Sequence, residues 1–267
     1  MTFRHAMCNE AFAGWPFAAA CRAIRRAGYS GIEIAPFTLS DDPARIPAAR
    51  RRELRDTLAS EGLAFAGLHW LMVAPKGLHL TTPDAALRRR SWEHMRGLVD
   101  LCADLGPDGV TVLGSPAQRG TTGGLTREEA TRHLVEGLSD LAPHAAARGV
   151  TVLLEALPVS QCDVVQTLDE AAAIGPTLFD VHNAIDEREP HAALVERHFD
   201  AIRHVHLNEL DGRHCGTGNY DYKPVLGVLA RRGYTGWLSL EAFDFTPGPQ
   251  RIAEGSLRHI EAEIVEL

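Results

Sequence analysis

The chain has 267 residues, which is too long for a small disulfide scaffold and fits one large α/β domain or two small ones. Apolar residues make up 45% and charged residues 23%, so a sizeable core can form and the composition is not that of a disordered chain. Lys and Arg number 27 against 35 Asp and Glu, a formal net charge of −8, which disfavours a protein that grips nucleic acid.

The cysteines are Cys8, Cys21, Cys102, Cys162 and Cys215, an odd count with no CxxC pair. A disulfide framework or thiolate zinc site is not indicated, and a reducing compartment is the simple reading. The apolar segment from Ala11 to Cys21 carries Pro16 and is followed by Arg22, Arg25 and Arg26, the reverse of a secretory signal. It reads as a first helix. No apolar run approaches the ~18 residues of a membrane span. No Asn-x-Ser/Thr acceptor is present. A cytoplasmic protein without membrane contact is expected.

In chain order, an apolar run at residues 3–8 is followed by a helical stretch over 16–27 and then Gly28. The pattern returns with runs at 31–35, 63–69, 109–113, 150–155, 177–180, 202–207 and 237–242. The matching helices are predicted at 47–60, 84–105, 126–147, 164–174, 190–200, 222–232 and 250–264. Most carry apolar residues at i, i+3, i+4 spacing, as in Leu134, Leu138 and Leu141. Gly28, Gly62, Gly106, Gly149, Gly175 and Gly233 stand where a positive φ would close a helix.

Alternating β and α elements imply parallel strands with right-handed crossovers. Eight such units in ~250 residues is the arithmetic of a (β/α)8 TIM barrel. The competing doubly wound sheet would need a GxGxxG after the first strand. The Gly216-Thr217-Gly218 pair comes late and lacks the third glycine. No Walker loop and no GxSxG elbow is present. With no linker or low-complexity segment, residues 1–267 read as one barrel domain.

Catalytic groups of such barrels project from the C-terminal ends of strands. Glu155, Asp180, His206 and Glu241 end the fifth, sixth, seventh and eighth runs. Three carboxylates and an imidazole at one mouth repel and pay desolvation, a conflict that a divalent metal resolves. Oxygen-rich ligands with one His suit Mn²⁺ first, with Mg²⁺ or Co²⁺ as alternatives. One acidic strand end is ordinarily a cap or an ion pair. Four in succession are hard to explain separately. His94, His133, His144, His198 and His259 fall in helices and read as solvated. His204 shares a strand face with His206 but lies deeper, as a core residue. His69, His182 and His214 lie on the mouth side.

The stretches Glu155-Ala156-Leu157, Phe179-Asp180-Val181-His182-Asn183, His204-Val205-His206, Arg213 before Gly216-Thr217-Gly218, and Leu240-Glu241-Ala242-Phe243 resemble the xylose-isomerase-like TIM barrels. Within them the chain is most similar to the sugar phosphate isomerase/epimerase branch that holds the ketose 3-epimerases and hydroxypyruvate isomerase. The resemblance implies one divalent metal held by Glu155, Asp180, His206 and Glu241. It makes the two glutamates the catalytic acid/base pair. His182 and Arg213 match positions that contact substrate oxygens. The ketose 3-epimerases carry a second glutamate where this chain has Gln161, which keeps a hydrogen-bonding partner and loses a charge. His69 and Gln161 join His182 and Arg213 as substrate-binding candidates. A small-molecule sugar is the implied partner, and a homo-oligomer, dimer or tetramer, is expected.

The chemistry is coherent in its own terms. A chelated ketone and hydroxyl acidify the adjacent C–H, one carboxylate removes the proton, and a second returns it. Around the mouth, the long connection 70–83 carries Lys76 and His79, and 114–125 carries Gln118, Arg119 and a glycine tract, readable as lids or as mobile loops. Arg119 and Arg213 are candidate anion contacts. Trp15, Phe37 and Trp70 read as pocket lining or core, and Asn9 and Glu33 as possible contacts. Three rival readings share the barrel. An endonuclease IV-like repair enzyme is opposed by the charge and by a fourth strand without His. A lyase or dehydratase on a keto-sugar, keto-inositol or oxidised glycoside uses the same site. A sugar-binding module is opposed by the intact acid/base set.

Overall fold

The computed structural model describes residues 3–107 and 109–267; residues 1, 2 and 108 of the expected domain lie outside it. Eight parallel strands pair in sequence order, and the eighth pairs back onto the first to close a barrel. They are β1 (Arg4–Cys8), β2 (Gly31–Ile34), β3 (Ala64–Leu68), β4 (Val110–Leu113), β5 (Thr151–Leu154), β6 (Thr177–Asp180), β7 (Ile202–Leu207) and β8 (Trp237–Leu240). The helices are α1 (Phe17–Ala27), α2 (Ala48–Ser60), α3 (Ala85–Leu105), α4 (Arg127–Ala147), α5 (Leu168–Ile174), α6 (His191–His198), α7 (Lys223–Arg231) and α8 (Pro249–Val265). The (β/α)8 reading of the sequence therefore holds.

Local chemistry sets several helix starts. The Asp84 carboxylate accepts from the amides of Ala86 and Leu87 ahead of α3. Thr126 and Glu129 satisfy each other's backbone amides ahead of α4, a capping box. The clearest departure is α5, predicted from 164 and observed from Leu168. Val165 takes a left-handed φ of 58°, and Thr167 caps the helix by accepting from Glu170 N. Of the helix-closing glycines, Gly28, Gly62, Gly149 and Gly233 have positive φ, whereas Gly106 and Gly175 are extended.

The main core lies between the strands and the helix ring, as expected for amphipathic helices on a half-buried strand face. A second apolar set fills the barrel. Val112, Leu153 and Leu178 form one cluster, and Ala6, Ala66 and Trp237 another. Leu153 and Leu178 stand two residues before Glu155 and Asp180, so strand alternation puts them on the same inward face one layer lower. The β5 and β6 side of the site thus rests on an apolar floor, while buried His204 and Ser239 stand one layer below His206 and Glu241. His94 corrects the sequence reading: it is buried, with Nδ1 3.8 Å from Asp42 Oδ1.

Candidate active site

Glu155 follows β5, Asp180 ends β6, His206 lies near the end of β7 and Glu241 follows β8. All four are buried, and each offers a ligand atom within 4.8 Å of the other three. His206 Nδ1 lies 3.1 Å from Glu241 Oε2, 3.3 Å from Asp180 Oδ2 and 3.7 Å from Glu155 Oε1. No well-aligned hydrogen bond reaches that nitrogen.

The other ring nitrogen explains this orientation. His206 Nε2 lies 3.1 Å from Glu33 Oε1, at the base of the mouth, and His204 Nε2 is 2.8 Å from Glu33 Oε2. With Nε2–H donating to Glu33, the Nδ1 edge faces the three carboxylates, and a cation bound there would take the place of the Nδ1 proton. That is the arrangement in which a carboxylate orients a metal-binding histidine. An orphaned buried nitrogen beside three carboxylate oxygens fits a divalent cation with a taste for oxygen.

The carboxylates are held from outside the cluster. Asn183 Nδ2 donates to Glu155 Oε1 at 3.0 Å, and the Asn183 amide donates to Asp180 Oδ1 at 2.8 Å. Asn208 Nδ2 lies 3.3 Å from Asp180 Oδ2. Gly114, just past β4, leaves the room that Glu155 occupies, since a Cβ there would sit 2.1 Å from Glu155 Oε2. Arg119 corrects the anion-contact and lid readings of its loop. It is fully buried and donates to the carbonyls of Leu113, Glu155 and Val165 at 3.0, 2.7 and 3.3 Å. It staples the ends of β4 and β5 beneath the site.

The electrostatics reflect crowding. Burial pushes the Glu241 carboxyl up to about 8, against the pull of His206 and His69. Burial would also raise Asp180, but hydrogen bonding and charge from His206, and the Asn183 amide, hold it below its ordinary value. Burial opposes the charge of His206, yet Glu33 and Glu241 keep it well above the usual imidazole range. In Glu33 burial is again outweighed, by His204 and His206, and the carboxyl stays well below its ordinary value.

The remaining candidates divide. His69 is buried, with Nε2 2.9 Å from Glu10 Oε2 and 3.9 Å from Glu241 Oε1. Burial would lower its pKa, but Glu10, Glu33 and Glu241 raise it to about 9. His182 Nδ1 donates to Leu210 O at 2.7 Å, and its Nε2 lies 3.5 Å from Gln161 Nε2. Arg213 is at the surface, its Nε donating to Asp211 Oδ2 at 2.7 Å. The structure therefore brings His69 to the cluster, sets His182 and Gln161 together at the mouth, and pairs Arg213 with its neighbour. Asn9 is structural: Oδ1 accepts from Ala35 N and Nδ2 donates to Thr38. The Gly216-Thr217-Gly218 stretch wraps Glu209, which accepts from Gly216 N and Tyr220 N. Glu10, Asn183 and Asn208 were not singled out in the sequence. Asn183 alone carried a signal, three residues past a strand-end carboxylate.

Residues 21–262 match the family described as xylose isomerase-like TIM barrel. Inosose dehydratase of Yersinia enterocolitica is 27% identical over 173 residues, covering 50% of this chain and 58% of that enzyme. The chain spans about half the length of the curated relatives it matches. The fold superimposes on 3-keto-D-glucoside 4-epimerase, YcjR, from E. coli with a TM-score of 0.84 at 17% identity, covering 98% of this chain and 100% of that one. D-psicose 3-epimerase from Clostridium cellulolyticum H10 gives a TM-score of 0.83 at 16% identity, with coverage of 98% and 99%. At these identities the structural likeness speaks to the fold. Closed in strand order and matched over most of its length, the chain belongs to the xylose isomerase-like TIM barrel family.

Proposed function

We propose that the chain is a divalent-cation-dependent isomerase or epimerase acting on a small keto sugar. One observation carries the reading: Glu155 and Glu241 approach the same imidazole nitrogen from β5 and β8, strands set three apart in the closed eight. Two carboxylates so placed flank a substrate carbon from different sides.

Glu155, Asp180, His206 and Glu241 would hold the cation, Mn²⁺ by their donor chemistry. Bound there, a divalent cation polarises a substrate carbonyl and acidifies the neighbouring C–H. One glutamate removes that proton. The other returns a proton to the opposite face, which inverts the carbon, or to the neighbouring carbon, which exchanges aldose and ketose. Which glutamate acts first depends on the hand of the substrate. His182 and Gln161 stand at the mouth as hydrogen-bonding partners for substrate hydroxyls.

The inosose dehydratase relatives support a second reading, in which proton removal is followed by loss of water from the same site. A panel of ketoses and keto-glycosides with Mn²⁺ in D₂O separates the two by NMR. Deuterium incorporation with water retained marks the isomerase; a conjugated enone marks the lyase. Glu155→Gln and Glu241→Gln should each lower turnover by ~10²–10⁴-fold, the range for a positioned acid or base. Full turnover in both variants ends the assignment.

A further inference from the structure

The described chain exposes eight large apolar side chains, and five of them gather at one end of the barrel. Trp15, Trp70, Val159, Ile185 and Phe245 all stand in connections that follow strand C-termini, after β1, β3, β5, β6 and β8. These connections ring the mouth above the carboxylate cluster.

The centre of this rim is aromatic and joined to the site. Trp70 follows His69 directly and is 38% exposed. Its ring lies 6.0 Å from Phe37 on one side and 6.0 Å from Phe243 on the other, the latter stacked at 22°. Phe243 follows Glu241 by two residues and packs 5.1 Å from His182. An aromatic row therefore runs from the outer mouth to the polar pair His182 and Gln161. Trp70 also takes a left-handed φ of 51°, which is costly for a bulky residue and persists only where the surroundings impose it.

A sugar ring held over the cluster would have the carboxylates, His182 and Gln161 around it, and a group attached to its outer side would face Trp70 and its neighbours. Of the arginines at this end of the barrel, Arg119 is committed to three backbone carbonyls, and Arg213 pairs with Asp211 at the surface.

We propose that this rim is an aglycone subsite and that the substrate is a keto-glycoside carrying an aromatic aglycone, in preference to a free ketose. The kinetic part rests on the isomerase reading; the binding part does not.

The kinetic test compares 3-keto-glucosides that differ in the aglycone alone, phenyl against methyl, with Mn²⁺ in D₂O. The phenyl compound should have a kcat/KM higher by about tenfold or more, carried in KM, as befits one added aromatic contact with its buried area. Trp70→Ala should bring the ratio close to one, and Trp70→Phe should restore most of it. Equal values for the two substrates in the native protein overturn the proposal. The binding test needs no turnover. Saturation-transfer NMR with unoxidised phenyl glucoside should show transfer to the phenyl protons, lost in Trp70→Ala and in Trp70→Gly, whose backbone suits the observed φ. Transfer with no exchange on any ketone would sink the isomerase reading and leave the subsite standing. Exchange with neither aglycone preference nor transfer would do the reverse. A dimer that dissociates on Trp70→Ala, with no transfer to the phenyl ring, would assign the rim to a second copy of the chain and overturn the proposal.

Discussion

Residues outside the cluster decide how its members stand. Gly114 is the sharpest case, because a single methyl group would fall on the Glu155 carboxylate. We expect Gly114→Ala to fold normally and to bind Mn²⁺ more weakly, as isothermal titration calorimetry would show. Glu33 acts through His206. Glu33→Gln keeps the shape and removes the charge that fixes the imidazole, so Mn²⁺ affinity should drop by ~10–100-fold, the effect found for partners of metal-binding histidines. Unchanged affinity in that variant would mean that Glu33 serves only to bury His204. The sequence pointed to Glu155, Asp180, His206 and Glu241 because each closes an apolar run. It left Glu33 a possible contact and gave Arg119 the wrong task, because burial and the choice of partner are not local properties.

At the scale of the element, alternation of short apolar runs and amphipathic stretches located every strand and helix of the barrel. The boundaries that moved were those set by a loop. The start of α5 waits for Thr167 because Val165 and its neighbours are bound up with the β4 connection, where Thr121 N donates to Asp163 Oδ1 and Arg119 donates to Val165 O. Those same contacts fasten the glycine-rich connection that the sequence left open as lid or loop. Contacts between helices likewise escape periodicity. Gly137, inside α4, faces Trp92 of α3, and a Cβ there would meet the indole at 1.9 Å. The indole is itself fixed by Nε1–H donating to Leu80 O at 3.1 Å. Helix propensity alone favours Gly137→Ala by ~1 kcal/mol. Overpacking against a fixed ring costs about 1–3 kcal/mol, so the variant should be destabilised in urea unfolding.

Across the whole molecule, the net charge is −8, the barrel is closed, and no helix of the described residues is long and apolar enough to cross a membrane. The folded state carries its own acid sensitivity. Burial lowers the pKa of His5 from 6.5 to about 4, so between those values the unfolded chain binds a proton that the folded chain refuses. The contribution of His5 is full above pH 6.5 and should fall as the pH drops toward 4. His5→Gln should flatten that part of the urea-midpoint profile against pH; an unaltered slope would assign the sensitivity to other groups. Read along the chain, the alternation of periods was enough for eight units, their closure and four polar strand ends, since strand and helix periods are written in neighbouring residues. Convergence was not. Glu33 and His206 are 173 residues apart, and Trp70 reaches Phe243 across the mouth. Such pairs meet only when the eighth strand hydrogen-bonds to the first, because closing the ring turns separate strand ends into one buried set of charges and one aromatic rim.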